Sequence, residues 1–322
     1  MDWQCAKGDL PEPKKVSFLF LFYLSFWIRV PMIQLRRGEL LAFLGRCRMP
    51  DGGFCAFRDP ESGAGFPNVA DTWFALSSLT RLGEENPARP EDRRWILRSL
   101  SEGESHRRSP YLAWVLGAKR LAGIPLSGED RILLRQETSR LLSETVSPEE
   151  APDLLRELGF LFRVRLLAGV PPDGDEKETL TLFLRDNSPV GDLPTILESA
   201  DRVFLEGLLS RPSGPSGPVP EEAPYRHPVL GYVLVPGSSR SDLFILLAGL
   251  RMRRNPQDPE EADALRLRVL FCQGTGGGFA PVGGARPTLE ATEAALEILS
   301  RLPERGAPGV SGSGIVPGVE KA

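Results

Sequence analysis

A chain of 322 residues with 41% hydrophobic content carries enough apolar surface for one large core or two ordinary ones, which excludes disorder as its basic state. Its net charge of −4 gives no basic footprint of the kind that neutralises phosphates, so no nucleic-acid partner is expected. The four cysteines, Cys5, Cys47, Cys55 and Cys272, form no CxxC pair and the two histidines no zinc-finger spacing, which fits a reducing compartment and a cytoplasmic protein.

The first distinctive element is the uncharged run at residues 16–28, VSFLFLFYLSFWI, flanked by Lys14, Lys15 and Arg29. It is short for a bilayer span, and no small-residue cleavage site follows it. Met32 lies just beyond and precedes a good helix. Residues 1–33 therefore read as a hydrophobic extension: an over-extended start outside the working protein, an anchor making membrane contact through residues 16–28, or a buried or interfacial helix.

From residue 34 to residue 303 the signals are helical. The expected segments are 36–48, 69–82, 90–101, 109–122, 128–145, 149–168, 174–187, 192–210, 241–254, 258–272 and 288–302. Ser109-Pro110, Ser147-Pro148 and Asp258-Pro259 each offer a capping oxygen followed by a proline suited to the first helical position. Gly83, Gly123 and Gly169 follow the last apolar residue of a helix, as left-handed C-caps do. Residues 211–240, rich in proline, glycine and serine, either cover a cavity mouth or link two helices, and residues 304–322 read as a flexible tail.

Two stretches repeat. PDGGFCAF at residues 50–57 precedes VADTWFALSSLTRLG, and GTGGGFAPV at residues 274–282 precedes LEATEAALEILSRL. Aligning the helices that follow pairs Thr72 with Thr292, Ala75 with Ala295, Leu76 with Leu296 and Leu79 with Leu299. The unit is helix, Gly-Gly-Phe turn, loop, helix, in which glycines let backbones approach closely and the phenylalanine plugs the space between helix ends.

This unit resembles the repeat of the protein prenyltransferase β subunits and the squalene and terpene cyclases; the two copies carry the likeness, and the middle of the chain matches only as helix pairs. The resemblance implies an all-α fold, an α/α toroid in which paired inner and outer helices close around an apolar cavity that takes an isoprenoid chain. It implies aromatic walls, for which Trp73, Phe74, Tyr111 and Trp114 are placed, and a basic residue soon after Gly-Gly-Phe to meet the diphosphate, which would be Arg58. The zinc ligands of the transferases map onto Ala70 and Thr72 in one register, and onto Asp71 and Trp73 in the next, so neither register supplies both. His106 and His227 stand in loops, and no metal or cofactor is expected. Asp173-Gly174-Asp175-Glu176 departs from the cyclase acid motif at its last position and reads instead as a helix start. The candidate ligand-binding set is thus Arg58, Asp71, Thr72, Trp73, Tyr111 and Trp114, with catalysis left open. The expected function is binding of an allylic diphosphate; the alternatives are a non-catalytic lipid-binding protein and a scaffold that docks a helical partner subunit.

Overall fold

The fold is described from a computed structural model at residues 35–57, 65–101, 109–144, 147, 149–187, 194–209, 222–253 and 259–303. All eleven expected helices form: α1 (Arg37–Cys47), α2 (Val69–Arg81), α3 (Pro90–Ser101), α4 (Tyr111–Leu121), α5 (Gly128–Leu142), α6 (Ala151–Leu167), α7 (Gly174–Asp186), α8 (Ile196–Leu209), α9 (Leu243–Met252), α10 (Pro259–Phe271) and α11 (Leu289–Arg301). The chain divides into Met1–Leu35 and Arg36–Ala322, and every helix named belongs to the second unit.

Helix ends follow the expected chemistry on the C-terminal side. Gly83, Gly123 and Gly169 hold φ of 77°, 71° and 67°. After each, the next N–H returns to a carbonyl of the last turn: Glu84 to Leu79, Ile124 to Lys119 and Val170 to Arg165. The N-terminal expectations need correction. α4 starts at Tyr111 with Pro110 at its cap, while the Ser109 N–H donates to Glu137 Oε1 at 2.6 Å and its buried hydroxyl has no partner. α6 starts at Ala151 with Glu150 at the cap, so Ser147 lies outside it. Asp258 lies outside the described residues. Asp173 does cap α7, reciprocally with Glu176, which resolves the acidic stretch there as a helix start.

Helix packing has a cyclic order. α2 packs on α4, α4 on α6, α6 on α8, α8 on α9, α9 on α11, and α11 on α2 again. Helices α1, α3, α5, α7 and α10 each pack on members of this series from outside it in sequence order. Between α8 and α9 the partner is different: a short 3₁₀ turn (Ala223–Tyr225) and a two-stranded hairpin, β1 (Arg226–His227) with β2 (Gly231–Tyr232), pack against α9. Tyr232 lies against Gly249, where a Cβ would come within 2.3 Å of its ring. Tyr225 bonds Pro194 O at 2.6 Å and Ser199 Oγ at 3.1 Å, tying the hairpin back to α8. The described part of the proline-rich stretch is thus structural; residues 210–221 lie outside the description.

The two Gly-Gly-Phe turns are built alike, bond for bond. The Phe54 N–H donates to Thr72 Oγ1, and the Phe279 N–H to Thr292 Oγ1, both at 3.0 Å. Each hydroxyl donates onward, Thr72 to Asn68 O at 2.8 Å and Thr292 to Thr288 O at 2.7 Å. Both phenylalanines are wholly buried. Each threonine therefore satisfies a buried amide that no helix or sheet ladder reaches. Thr72→Val and Thr292→Val each strand that amide, and each is expected to cost about 1–3 kcal/mol of stability in urea denaturation.

The glycines show what each turn rests on. A Cβ on Gly52 would meet Glu91 O of α3 at 2.3 Å, and one on Gly277 would meet Glu39 O of α1 at 2.0 Å. The first turn sits on α3, and the last sits on α1. Arg36 completes that seam, its guanidinium donating to Gln273 O at 3.0 Å and Gly274 O at 2.9 Å.

Candidate functional site

Five of the six residues expected to bind ligand fall among the described residues; Arg58 lies outside them. Asp71 and Thr72 are committed to the first turn. Asp71 Oδ2 accepts from the Ala56 N–H and from Asn68 Nδ2, each at 2.8 Å, and Thr72 carries the bonds already given. Tyr111, half-buried, begins α4.

Trp73 and Trp114 do converge, through a residue that the sequence reading left out. Phe160 of α6 meets Trp73 edge-on with ring centroids 5.7 Å apart, and Trp114 at 6.0 Å and a tilt of 55°. Trp73 passes over Gly117 of α4, where a Cβ would come within 2.5 Å of the indole. α2 and α6 are not consecutive in the packing cycle, so this contact lies inside it.

One turn further along, the inward surface changes from aromatic to ionic. Arg163 of α6, three residues after Phe160, pairs with Asp201 of α8 at 2.7 Å, and its guanidinium lies 4.6 Å from the centre of the Phe204 ring. Arg251 of α9 donates two hydrogen bonds to Glu297 of α11, at 3.0 and 2.8 Å. Arg81 of α2 reaches both Glu293 and Glu297 at 3.2 Å, and Ser77 donates to Glu293 at 3.1 Å. Arg301 holds Glu297 from its own helix at 2.8 Å. Four guanidinium groups thus face three carboxylates, a cationic excess contributed by five helices.

These charges act on one another across the cycle. Burial lowers the Arg163 pKa, the like charge of Arg251 lowers it further, and Asp201 and Glu297 offset only part. Burial would likewise lower Arg251, but Glu297 outweighs it and the net shift is upward. Glu293 is pushed up by burial and by Glu297, with Arg81, Arg251 and Ser77 compensating in part. Burial would also raise Glu297, yet the Arg251 charge and hydrogen bonds, followed by Arg301 and Arg81, hold it at about 2. At the other end of α11, burial and Glu293 raise Glu290, which also feels Arg156 of α6.

Although they sit deep enough for burial to matter, Arg163 and Arg251 keep 23% and 27% of their side-chain surface accessible. The sequence led us to expect an apolar lining at these helices; they bring together an aromatic contact and, one turn further along α6, an ionic cluster. The missed signal was the polar side chains Ser77, Asp201, Glu293 and Glu297, which recur on otherwise apolar helices and are nearly fully buried.

The chain matches no protein-family model, and no curated protein matches it in sequence. Among the described residues, no group of three His, Cys, Asp or Glu side chains is placed to hold a metal ion. No helix among them is long and apolar enough to cross a membrane, and residues 16–28 lie outside the description.

Proposed function

We propose that the helix cycle is a single α/α toroid, prenyltransferase-like in architecture, and that its central recess binds an isoprenoid diphosphate. One observation carries this reading: along α6, the aromatic contact of Phe160 with Trp73 and Trp114 is followed after three residues, about 4.5 Å of helix rise, by the Arg163 guanidinium. A hydrocarbon chain gains most from flat aromatic area that orders few torsions, and a diphosphate from guanidinium forks that donate to two oxygens at once. Both surfaces meet along α6. The chain lies along the aromatics while the head group takes Arg163 and Arg251, competing with Asp201 for the first. The docking of the last turn on α1 and of α11 on α2 supports the closed toroid. We assign binding and no chemical step.

Calorimetric titration with farnesyl and geranylgeranyl diphosphate tests the reading. Saturable binding of one equivalent is expected, weakened at least tenfold by Arg163→Gln, because a charge-assisted hydrogen bond contributes about 1.5–3 kcal/mol. Farnesol, which lacks the head group, should be indifferent to that substitution. If neither diphosphate binds, the reading fails and a helical scaffold remains.

A further inference from the structure

Away from the Phe160 and Arg163 cluster, a recess of about 250 Å³ opens where α5 meets the turn between α6 and α7. Arg131, Ile132 and Arg135 form one wall and Gly169, Val170 and Pro171 the other. The turn is rigid for a local reason. Gly169 ends α6 in the left-handed region, and the wholly buried Arg165 side chain then donates to Val170 O at 3.2 Å and Pro171 O at 3.3 Å. Glu176 fixes that guanidinium with two bonds of 2.7 Å. Since Arg165 occupies these carbonyls, the turn offers the recess apolar surface rather than hydrogen-bond acceptors.

The opposite wall differs in charge. Arg131 and Arg135, four residues apart, share one face of α5, and the side chain of Ile132 beside them is 56% exposed. Among the described residues Arg131 forms no ion pair. Arg135 has Asp173 at 3.7 Å, with both side chains about half exposed. A surface pair that long contributes little, so both forks are open to another acceptor.

We propose that this recess docks a short segment of a partner protein in which leucine-type side chains are flanked by acidic residues. Charge complementarity selects the occupant: the forks call for carboxylates at fixed spacing and the Ile132, Val170 and Pro171 surface calls for an aliphatic side chain between them. A simple anion would leave the apolar wall wet, and a purely apolar segment would leave two guanidinium groups without acceptors. The site is independent of the central recess and of any ligand bound there.

Fluorescence anisotropy of the full chain with a fluorescein-labelled peptide Asp-Glu-Leu-Leu-Asp-Glu tests the assignment. The expected result is saturable binding that falls at least tenfold when the acids are replaced by Asn and Gln, when the leucines are replaced by Gly, or when the protein carries Arg131→Gln with Arg135→Gln. Raising the salt from 50 to 300 mM should weaken it as well. Both arginines are exposed, so the double variant is expected to melt with the parent, a check made by circular dichroism. No saturable binding, binding indifferent to the double variant, or equal affinity for the leucine-free peptide would each overturn the proposal, the last by reducing the recess to an anion site.

Discussion

Replacing Glu297 by glutamine is expected to lower the unfolding free energy by about 3–5 kcal/mol, the range for removing one partner of a buried, hydrogen-bonded ion pair. Glu297 is 5% exposed and accepts from Arg251, Arg301 and Arg81. Without its charge, Arg251 loses the carboxylate that compensates its burial, and Arg81 and Arg301 lose their shared ionic partner. At the rate usual for domains of this size, about 2–4 °C per kcal/mol, the melting temperature should fall by roughly 6–20 °C. The pH dependence has a definite sign. Because Glu297 is held at about 2 in the folded chain, below its ordinary value of 4.5, its stabilisation is present above 4.5 and lost as the pH falls towards 2. The gap between parent and variant in urea denaturation should narrow over that same interval. Glu293 behaves oppositely. Its pKa is raised by burial and by Glu297, so the folded chain holds that proton more tightly than the unfolded chain, and stability falls as the pH rises through the raised value. Glu293→Gln keeps an acceptor for Ser77 and removes the costly charge. It should be neutral or stabilising at pH 8. A Glu293→Gln loss as large as that of Glu297→Gln would refute this account of the cluster.

The second large effect is expected at Gly277. Its φ of 93° is a conformation that side chains rarely adopt, and an added Cβ would lie 2.0 Å from Glu39 O and 2.8 Å from Leu40 N, in the backbone of α1. Strain of this kind costs about 1–3 kcal/mol from the backbone alone, and the collision comes on top because helix backbone cannot move aside as a flexible side chain can. Gly277→Ala should therefore cost more than 3 kcal/mol, or detach α1 from the last turn altogether. Gly284 supplies the control: its φ is 82°, but nothing lies within 4 Å of the added Cβ, so Gly284→Ala pays only the backbone strain. Hydrogen exchange distinguishes the two, since only Gly277→Ala should unprotect the amides of residues 37–47. Equal costs at the two glycines would remove the turn-on-helix contact from the stability of the fold.

The helices were legible because their boundaries are written in local chemistry. Apolar spacing set their extents, and Gly83, Gly123 and Gly169 marked three ends that need a left-handed residue. The repeat was legible for the same reason, as the Gly-Gly-Phe turn with its threonine 18 residues on in one copy and 13 in the other uses the same bonds. Ser109 was misread because serine before proline offers a cap, whereas here Pro110 holds the cap position and the serine N–H goes to Glu137. Trp73 and Trp114 were read as cavity-wall candidates, but their shared contact with Phe160 was not foreseen, since nothing local says which face of α6 looks across to α2. The ionic cluster was the least legible. Glu293, Glu297 and Arg301 stand four apart, the signature of a solvated helix face; only the packing of α2 and α9 on α11 covers the two glutamates.

The return of α11 to α2, and of the last turn to α1, joins the two ends of the described helix series. An open array of hairpins can fray from either extremity and often survives truncation, because each unit leans on its neighbours in line. Here an excision before residue 82 would bare α4 and α11 together, so melting should be all-or-none wherever along the circuit the first break is made.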